Sequence, residues 1–393
     1  MPWQATPMND LRRDFVLKVL QRSASFAALC REFGVSRKTG YKWKQRALEE
    51  GVSGLGEHSR RPKRNPRQLA EAVVCGLIRL RLRHPQWGPV KLCEIYRRSY
   101  GVAPSVSSCH RVLQQAGLVL PRRCRVRVAA GRLQARLEAR APNEVWTADF
   151  KGWWRLGNKE RCEPLTVRDA FSRFVLALRV PGGTDTAAVR AEFVRLFETY
   201  GLPKVIRTDN GAPFACSRAV LGLSRLSAWW VSLGILLDRS RPAHPEDNGA
   251  HERLHRDIAT EVAGHVQVDR AAQQAACDVW REEFNWVRPH AALAGRCPGE
   301  IYGKSPRHYT EATLEYGPGF HPRRVSANGL IAWERQRFFI SGALAGCDLG
   351  LRCSGPHELE VWLHYLFLGT LELQTNSFRS APSRAAEAAR LSA

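Results

Sequence analysis

The feature that most restricts this chain's architecture is a change of pattern at Asn143. Before it, apolar residues recur at helical spacing in segments parted by Pro- and Arg-rich stretches; after it, strand-like and helix-like segments alternate. EVWTADF reads as an extended run, and LTVRDAFSRFVLALRV as two strands around a turn at Asp169–Ser172. TDTAAVRAEFVRLFETYG predicts an amphipathic helix with Val189, Phe193, Leu196 and Tyr200 as its buried stripe and Gly201 as its stop. KVIRTDNG (strand), SRAVLGLSRLSAWWVSLG (helix), ILLDRS (short strand) and AHERLHRDIATEVA (helix) continue the alternation, which predicts an α/β layer fold with a mixed sheet over residues 143–310. Short strands such as GLIAWE, RFFIS and EVWLHYLFLGTLEL then predict a small β domain or barrel at 311–374. Residues 375–393 carry too little apolar surface to fold and are expected to be disordered.

The front of the chain is all-α and basic. Residues 1–141 hold 29 Lys and Arg against 9 Asp and Glu, so they carry +20 of the total net charge of +23. A surplus this large attracts polyanions, nucleic acid above all. Within residues 1–58, a helix from Asp10, a second helix SFAALCREFG, a turn at Gly34-Val35-Ser36 and a third helix from Arg37 follow helix-turn-helix grammar. Ser36 suits the cap, and Arg37, Lys38, Lys42, Lys44 and Arg46 make the third helix a candidate for the major groove of double-stranded DNA. The alternative is a generic basic helical hairpin. A basic linker at 59–67 leads to a second helix-turn-helix-like domain at 68–120, with helices ending at Gly101 and Gly117, and a basic connector covers 121–142.

Three acids of the central region stand where a cation site would want them. Asp149 ends a strand and shares a face with Val145 and Thr147; Asp209 ends VIRT just before Asn210 and Gly211; Glu252 lies one turn into a helix for which Asn248 is a natural cap. Taken singly, each has a structural reading: a strand end, a turn, and an i,i+4 partner of Arg256. Jointly, behind a DNA-binding module, they suit hard divalent cations, which take oxygen ligands and leave positions open for water and phosphate. His244, His251 and His255 flank the site; a metal-ligating histidine is one reading, and DNA contacts or a solvated face are the favoured one, since Mg²⁺ prefers oxygen. Trp229 and Trp230 read as core rather than as a base-stacking pair.

NEVWTADFKG, VRDAFSRF, VIRTDNGAPFA, LSAWWVSLGI, AHPEDNGAHERLHR and FNWVRPHAAL, in that order, resemble the integrase-like core of bacterial insertion-sequence transposases. The helical front resembles that family's paired helix-turn-helix region. The resemblance implies a ribonuclease-H-like fold and an Asp-Asp-Glu triad, here Asp149, Asp209 and Glu252, as catalytic and metal-binding residues. It further implies Mg²⁺, two ions in the usual scheme with Mn²⁺ as a substitute, and a multimeric transposase that recognises terminal inverted repeats. Asn285, Arg288, Pro289 and His290 match a family motif and read as structural or DNA-backbone contacts. Two departures stand out. The 42 residues between Asp209 and Glu252 exceed the family's usual interval, whose count would end at Pro245. Glu246 and Asp247 lie nearer to that count, but Glu252 holds the matching helix position; the extra length is expected in the helical segment LGLSRLSAWWVSLG. Ala259 stands where many relatives have a Lys or Arg, and Arg253 and Arg256 are the candidate substitutes for that DNA contact.

The leading reading is thus a DNA transposase acting by metal-dependent phosphoryl transfer, a homo-oligomer in its active complex. The alternative is a non-cleaving DNA-binding regulator or a decayed copy. A retroviral-type integrase is disfavoured, because the front lacks a His-His-Cys-Cys zinc module. The 11 scattered cysteines form no C-x-x-C pair, so reduced thiols and a cytoplasmic, nucleoid-associated protein are expected. No run of apolar residues is long enough to span a membrane, and the start lacks a secretory signal.

Overall fold

The computed structural model describes residues 8–57, 68–119, 138–239, 249–311 and 314–382. The linker at 59–67, residues 121–137 of the connector and residues 383–393 lie outside them. The chain divides into two compact units, Met1–Ala70 and Glu71–Ala393.

In the first unit, α1 (Met8–Leu20), α2 (Phe26–Glu32) and α3 (Arg37–Glu50) enclose a core of Phe15, Val16, Leu29, Cys30 and Trp43. Ser25 and Ser36 cap α2 and α3 by accepting the amides of Ala28 and Thr39, so hydroxyls at the helix starts satisfy otherwise orphaned donors. Gly34, at φ 63°, makes the turn between them. Gly40 lets α3 press onto its neighbours, since a Cβ there would come within 2.9 Å of both Cys30 Sγ and Phe15 Cζ. Arg37, Lys38 and Lys42 are exposed and Lys44 is half-buried, whereas Arg46 folds over the Trp43 ring at 5.3 Å.

The second unit begins with α4 (Glu71–Arg83), α5 (Pro89–Tyr100) and α6 (Val106–Gln115), packed around Leu77, Trp87, Leu92, Cys109 and Leu113. The central sheet follows, with β1 (Val145–Phe150), β4 (Leu165–Asp169), β5 (Val175–Arg179), β6 (Val205–Thr208) and β7 (Leu236–Arg239) in the order β5-β4-β1-β6-β7. The β5-β4-β1 half is antiparallel; β1, β6 and β7 run parallel. This is the expected mixed sheet. A hairpin of β2 (Trp154–Arg155) and β3 (Arg161–Cys162) extends from the end of β1.

Alternation along the strands sends Trp146, Ala148, Leu165, Val167 and Ile206 to one face, covered by α7 (Thr186–Tyr200) and α8 (Arg225–Ser232). α9 (Gly249–Glu261) and α10 (Arg270–Glu282) cover the other face through Leu254, Ile258, Cys277 and Trp280. Each such fully buried large side chain contributes about 1.5–3 kcal/mol, so the sheet is anchored from both sides. α8 is shorter than the predicted helix. The Ser224–Ser227 capping box starts it at Arg225, and the preceding Val220–Gly222 is a 3-10 turn with Leu221 and Gly222 at positive φ.

The C-terminal segment holds β8 (Phe320–Arg324), β9 (Leu330–Trp333), β10 (Gln336–Phe339), β11 (Asp348–Gly355), β12 (Glu358–Leu363), β13 (Leu366–Glu372) and β14 (Ser377–Ser380). The antiparallel order is β14-β13-β12-β11-β8, with β9 and β10 as a separate hairpin. One expectation needs correction. Ser377–Ser380, assigned to a disordered tail, is an edge strand held by the β13 ladder from Gly369 to Glu372. The β segment shares its core with the central region, because Val220, Leu223, Ala228 and Val231 pack among Leu349, Leu351, Val361, Leu363 and Leu371.

Candidate active site

β1 and β6 are parallel and paired up to Thr147 and Arg207, so two residues further on Asp149 and Asp209 emerge at the same sheet edge. Asp149 is the penultimate residue of β1; Asp209 follows β6, is exposed, and accepts the Gly211 amide at 3.2 Å. Glu252 lies exposed in the first turn of α9, which buries His251, Leu254 and Ile258 at i, i+3 and i+7 beneath it. The other two acids act on Asp149. Burial, and then the charges of Asp209 and Glu252, push the Asp149 carboxyl up to about 7. Among the described residues none of the three forms an ion pair with a lysine or arginine, although the Lys151 charge acts on Asp149 in the opposite direction. A cluster of like charges without a basic partner fits a divalent cation.

Beneath the acids lies a polar layer that the sequence reading did not single out. Thr166 pairs with Asp149 in the β4–β1 ladder and donates its hydroxyl to the Asp149 carbonyl at 2.8 Å. Its Oγ1 also meets His251 Nε2 at 2.6 Å and His255 Nε2 at 2.9 Å, while His251 Nδ1 meets Thr147 Oγ1 at 2.9 Å. Thr166 and Arg168, on alternate positions of β4, are the sequence signal for this polar face. His251 is fully buried and His255 half-buried, which corrects their reading as DNA contacts or a solvated face. Burial, aided by nearby positive charge, lowers His255 to about 4 and His251 well below its ordinary value, so both rings are neutral at pH 7. Both His251 nitrogens are engaged by hydroxyls. His255 Nδ1 stands 4.0 Å from Asp149 Oδ2, and one ligand atom from each of Asp149, His251 and His255 falls within 4.8 Å of the others.

Other candidates fall where packing dictates. Trp229 and Trp230 are core, packed on Phe197 and Phe193 with ring centroids 5.5 and 4.7 Å apart. Asn285 clamps the β5 edge, accepting the Val175 amide at 2.8 Å and donating to its carbonyl at 2.9 Å. Arg288 and His290 are buried, which removes the DNA-backbone alternative for these two. Arg253, Arg256 and Ala259 are exposed on α9. His244, Glu246, Asp247 and Asn248 lie outside the described residues.

Known proteins agree with this architecture. Models described as integrase core domain match residues 139–245 and 233–298, a homeodomain-like domain model matches 39–113, and a helix-turn-helix domain model matches 11–63. The 31.7 kDa protein of insertion element IS407 from Burkholderia multivorans is 30% identical over 236 residues, covering 60% of this chain and 82% of that protein. The 39.2 kDa protein of insertion element IS476 from Xanthomonas euvesicatoria is 27% identical over 279 residues, covering 69% and 76%. Among solved structures, the HTLV-2 integrase catalytic core domain in complex with magnesium matches at 17% identity and a TM-score of 0.31, covering 42% of this chain and all of that one. With an integrase core behind helix-turn-helix modules and a close relation over most of an insertion-element protein, the chain belongs to the bacterial insertion-sequence transposases.

Proposed function

We propose that the chain recognises the terminal inverted repeats of its element and cuts and joins DNA there, with Asp149, Asp209 and Glu252 as the metal-binding carboxylates. One observation carries this reading: Asp149 and Asp209 leave adjacent parallel strands at one sheet edge, where the charges of Asp209 and Glu252 act on the Asp149 carboxyl. Magnesium bound there, as two ions, would lower the pKa of an attacking water or 3′ hydroxyl and neutralise the charge on the leaving oxygen. The chain's own part is placement. The adjacent parallel strands β1 and β6 fix the spacing of the two aspartates, and α9, clamped through His251, Leu254 and Ile258, delivers Glu252 from above. Neutral rings at His251 and His255 keep the floor of the site from competing with a cation.

DNA binding would rest on α3, where Arg37, Lys38 and Lys42 face solvent beyond the Ser36 cap, with Lys44 half-buried beside them, while Arg253 and Arg256 line the outer face of α9. Arg46 is half-buried over the Trp43 ring, and the Lys42 ammonium also lies over that ring, at 4.7 Å. The active complex is read as a homo-oligomer. Among the described residues no helix is long and apolar enough to cross a membrane. The test is a gel assay on duplex repeat ends with Mg²⁺ or EDTA. Wild type should nick the ends and join them to target DNA in Mg²⁺ alone, and end binding should weaken steeply with salt. Specific binding with no cleavage in any divalent metal would favour the non-cleaving regulator.

A further inference from the structure

The hydrogen-bond geometry of the polar layer under Asp149 assigns its hydrogens. The Asp149 carbonyl can only accept, so the one Thr166 hydroxyl hydrogen lies on that 2.8 Å bond. Thr166 Oγ1 must then accept from both His251 Nε2 and His255 Nε2, which places a proton on Nε2 of each ring. In a neutral imidazole the other nitrogen carries a lone pair. With Nε2 of His251 donating, its Nδ1 must accept, and it takes the Thr147 hydroxyl at 2.9 Å, the shorter of that hydroxyl's two contacts, the other being the Arg168 carbonyl at 3.3 Å. For His255 it faces Asp149 Oδ2 across 4.0 Å, too far for a hydrogen bond and with an acceptor on either side. That gap, lined by a ring-nitrogen lone pair on one side and a carboxylate oxygen on the other, suits a cation that both could bind.

We propose that His255 Nδ1 and Asp149 Oδ2 form a nitrogen–oxygen ligand pair for a divalent cation, so that this active site favours Mn²⁺ or Zn²⁺ over Mg²⁺. The proposal rests on the reading of Asp149 as a metal-binding carboxylate and adds a ligand to it. Thr166 is the positioning residue: by occupying Nε2 it turns Nδ1 toward the carboxylate, the usual arrangement in which a partner on one ring nitrogen sets the tautomer of the other. His251, with both nitrogens engaged, is a support for Thr166 and not a ligand.

Mn²⁺ is the probe, because its electron spin reports nitrogen ligands directly. In pulsed electron paramagnetic resonance of the full chain with Mn²⁺, wild type should show imidazole nitrogen modulation. His255→Ala and the more conservative His255→Asn should both abolish it while Mn²⁺ stays bound about 10–100-fold more weakly. The Mn²⁺ to Mg²⁺ affinity ratio, measured by competition, should fall in both variants. Circular dichroism serves as the check that each variant is folded. Bound Mn²⁺ without nitrogen modulation in wild type, or modulation that survives in both folded variants, overturns the ligand assignment and leaves the carboxylates standing. Equal Mn²⁺ binding by wild type and Asp149→Asn overturns the carboxylate reading and this proposal together.

Discussion

Replacing Arg288 tests whether buried electrostatics hold the site's helix in place. The guanidinium is 1% exposed and pairs with Glu261 of α9, with Asp257 of α9 at 3.5 Å and with Glu283 at 3.6 Å. It also lies 5.2–5.6 Å from the rings of Phe284, Trp280 and Trp87, the last belonging to the helical module of α4 to α6. Removing one partner of a buried ion pair costs about 3–5 kcal/mol, because the partners left behind remain desolvated. Here Asp257 and Glu283 are about one-third exposed, so water relieves them, while Glu261, at 14%, keeps only the Trp280 indole N–H at 2.6 Å. The lower end, about 3 kcal/mol, is therefore expected for Arg288→Met. At about 2 °C per kcal/mol for a unit of this size, the melting temperature should fall by roughly 6 °C. Hydrogen exchange should quicken in α9 and α10, and Arg288→Lys, which retains the charge but loses the planar fork, should fall between. An unchanged melting temperature, together with weaker DNA binding and a salt slope reduced by about 1, would refute the reasoning and make Arg288 a phosphate contact.

Two further outcomes follow. Gly40→Val forces a side chain to within 2.9 Å of Cys30 and Phe15, so helix-turn-helix packing should weaken by about 1–3 kcal/mol and repeat-end binding should drop, as read by band shift; unaltered binding and melting would show that α1 and α3 do not meet there. The raised Asp149 carboxyl means that the metal-free fold binds a proton more tightly than the unfolded chain, so its stabilising contribution is full below pH 4 and is lost as pH rises to about 7. Buried His251 and His255 give the opposite trend over the same range, so the fall is read as the difference between wild-type and Asp149→Asn melting curves in EDTA, with Mg²⁺ opposing it; parallel curves would mean that Asp149 does not titrate there.

How much of this was readable in the sequence depends on whether the signal is local. Ser36, Gly34 and the basic first turn of α3 act through their immediate neighbours, and the helix-turn-helix appears in the pattern. Alternation in EVWTADF and VIRT placed Asp149 and Asp209 at strand ends, and the parallel β1–β6 pairing then brought those ends to one edge. What remained hidden depends on distant partners. β14 offers one aromatic residue in SFRS and exists because β13 pairs with it. The shortened α8 reflects a serine capping box inside a run that is apolar on both sides. His251 and Arg288 look like surface residues by type; only the facing Thr147 and Thr166, or Glu261 and Asp257, supply the partners that permit burial.

The central claim is that Glu252 completes the carboxylate set, despite the 42 residues that separate it from Asp209. The direct measurement is the rate of Mg²⁺-dependent cleavage at a repeat end for wild type, Glu252→Gln and Glu246→Gln, each shown to bind that end normally. Glu252→Gln should lose about 10²–10³-fold or more while Glu246→Gln keeps the wild-type rate. Normal cleavage by Glu252→Gln, with the loss falling on Glu246→Gln, would contradict the assignment.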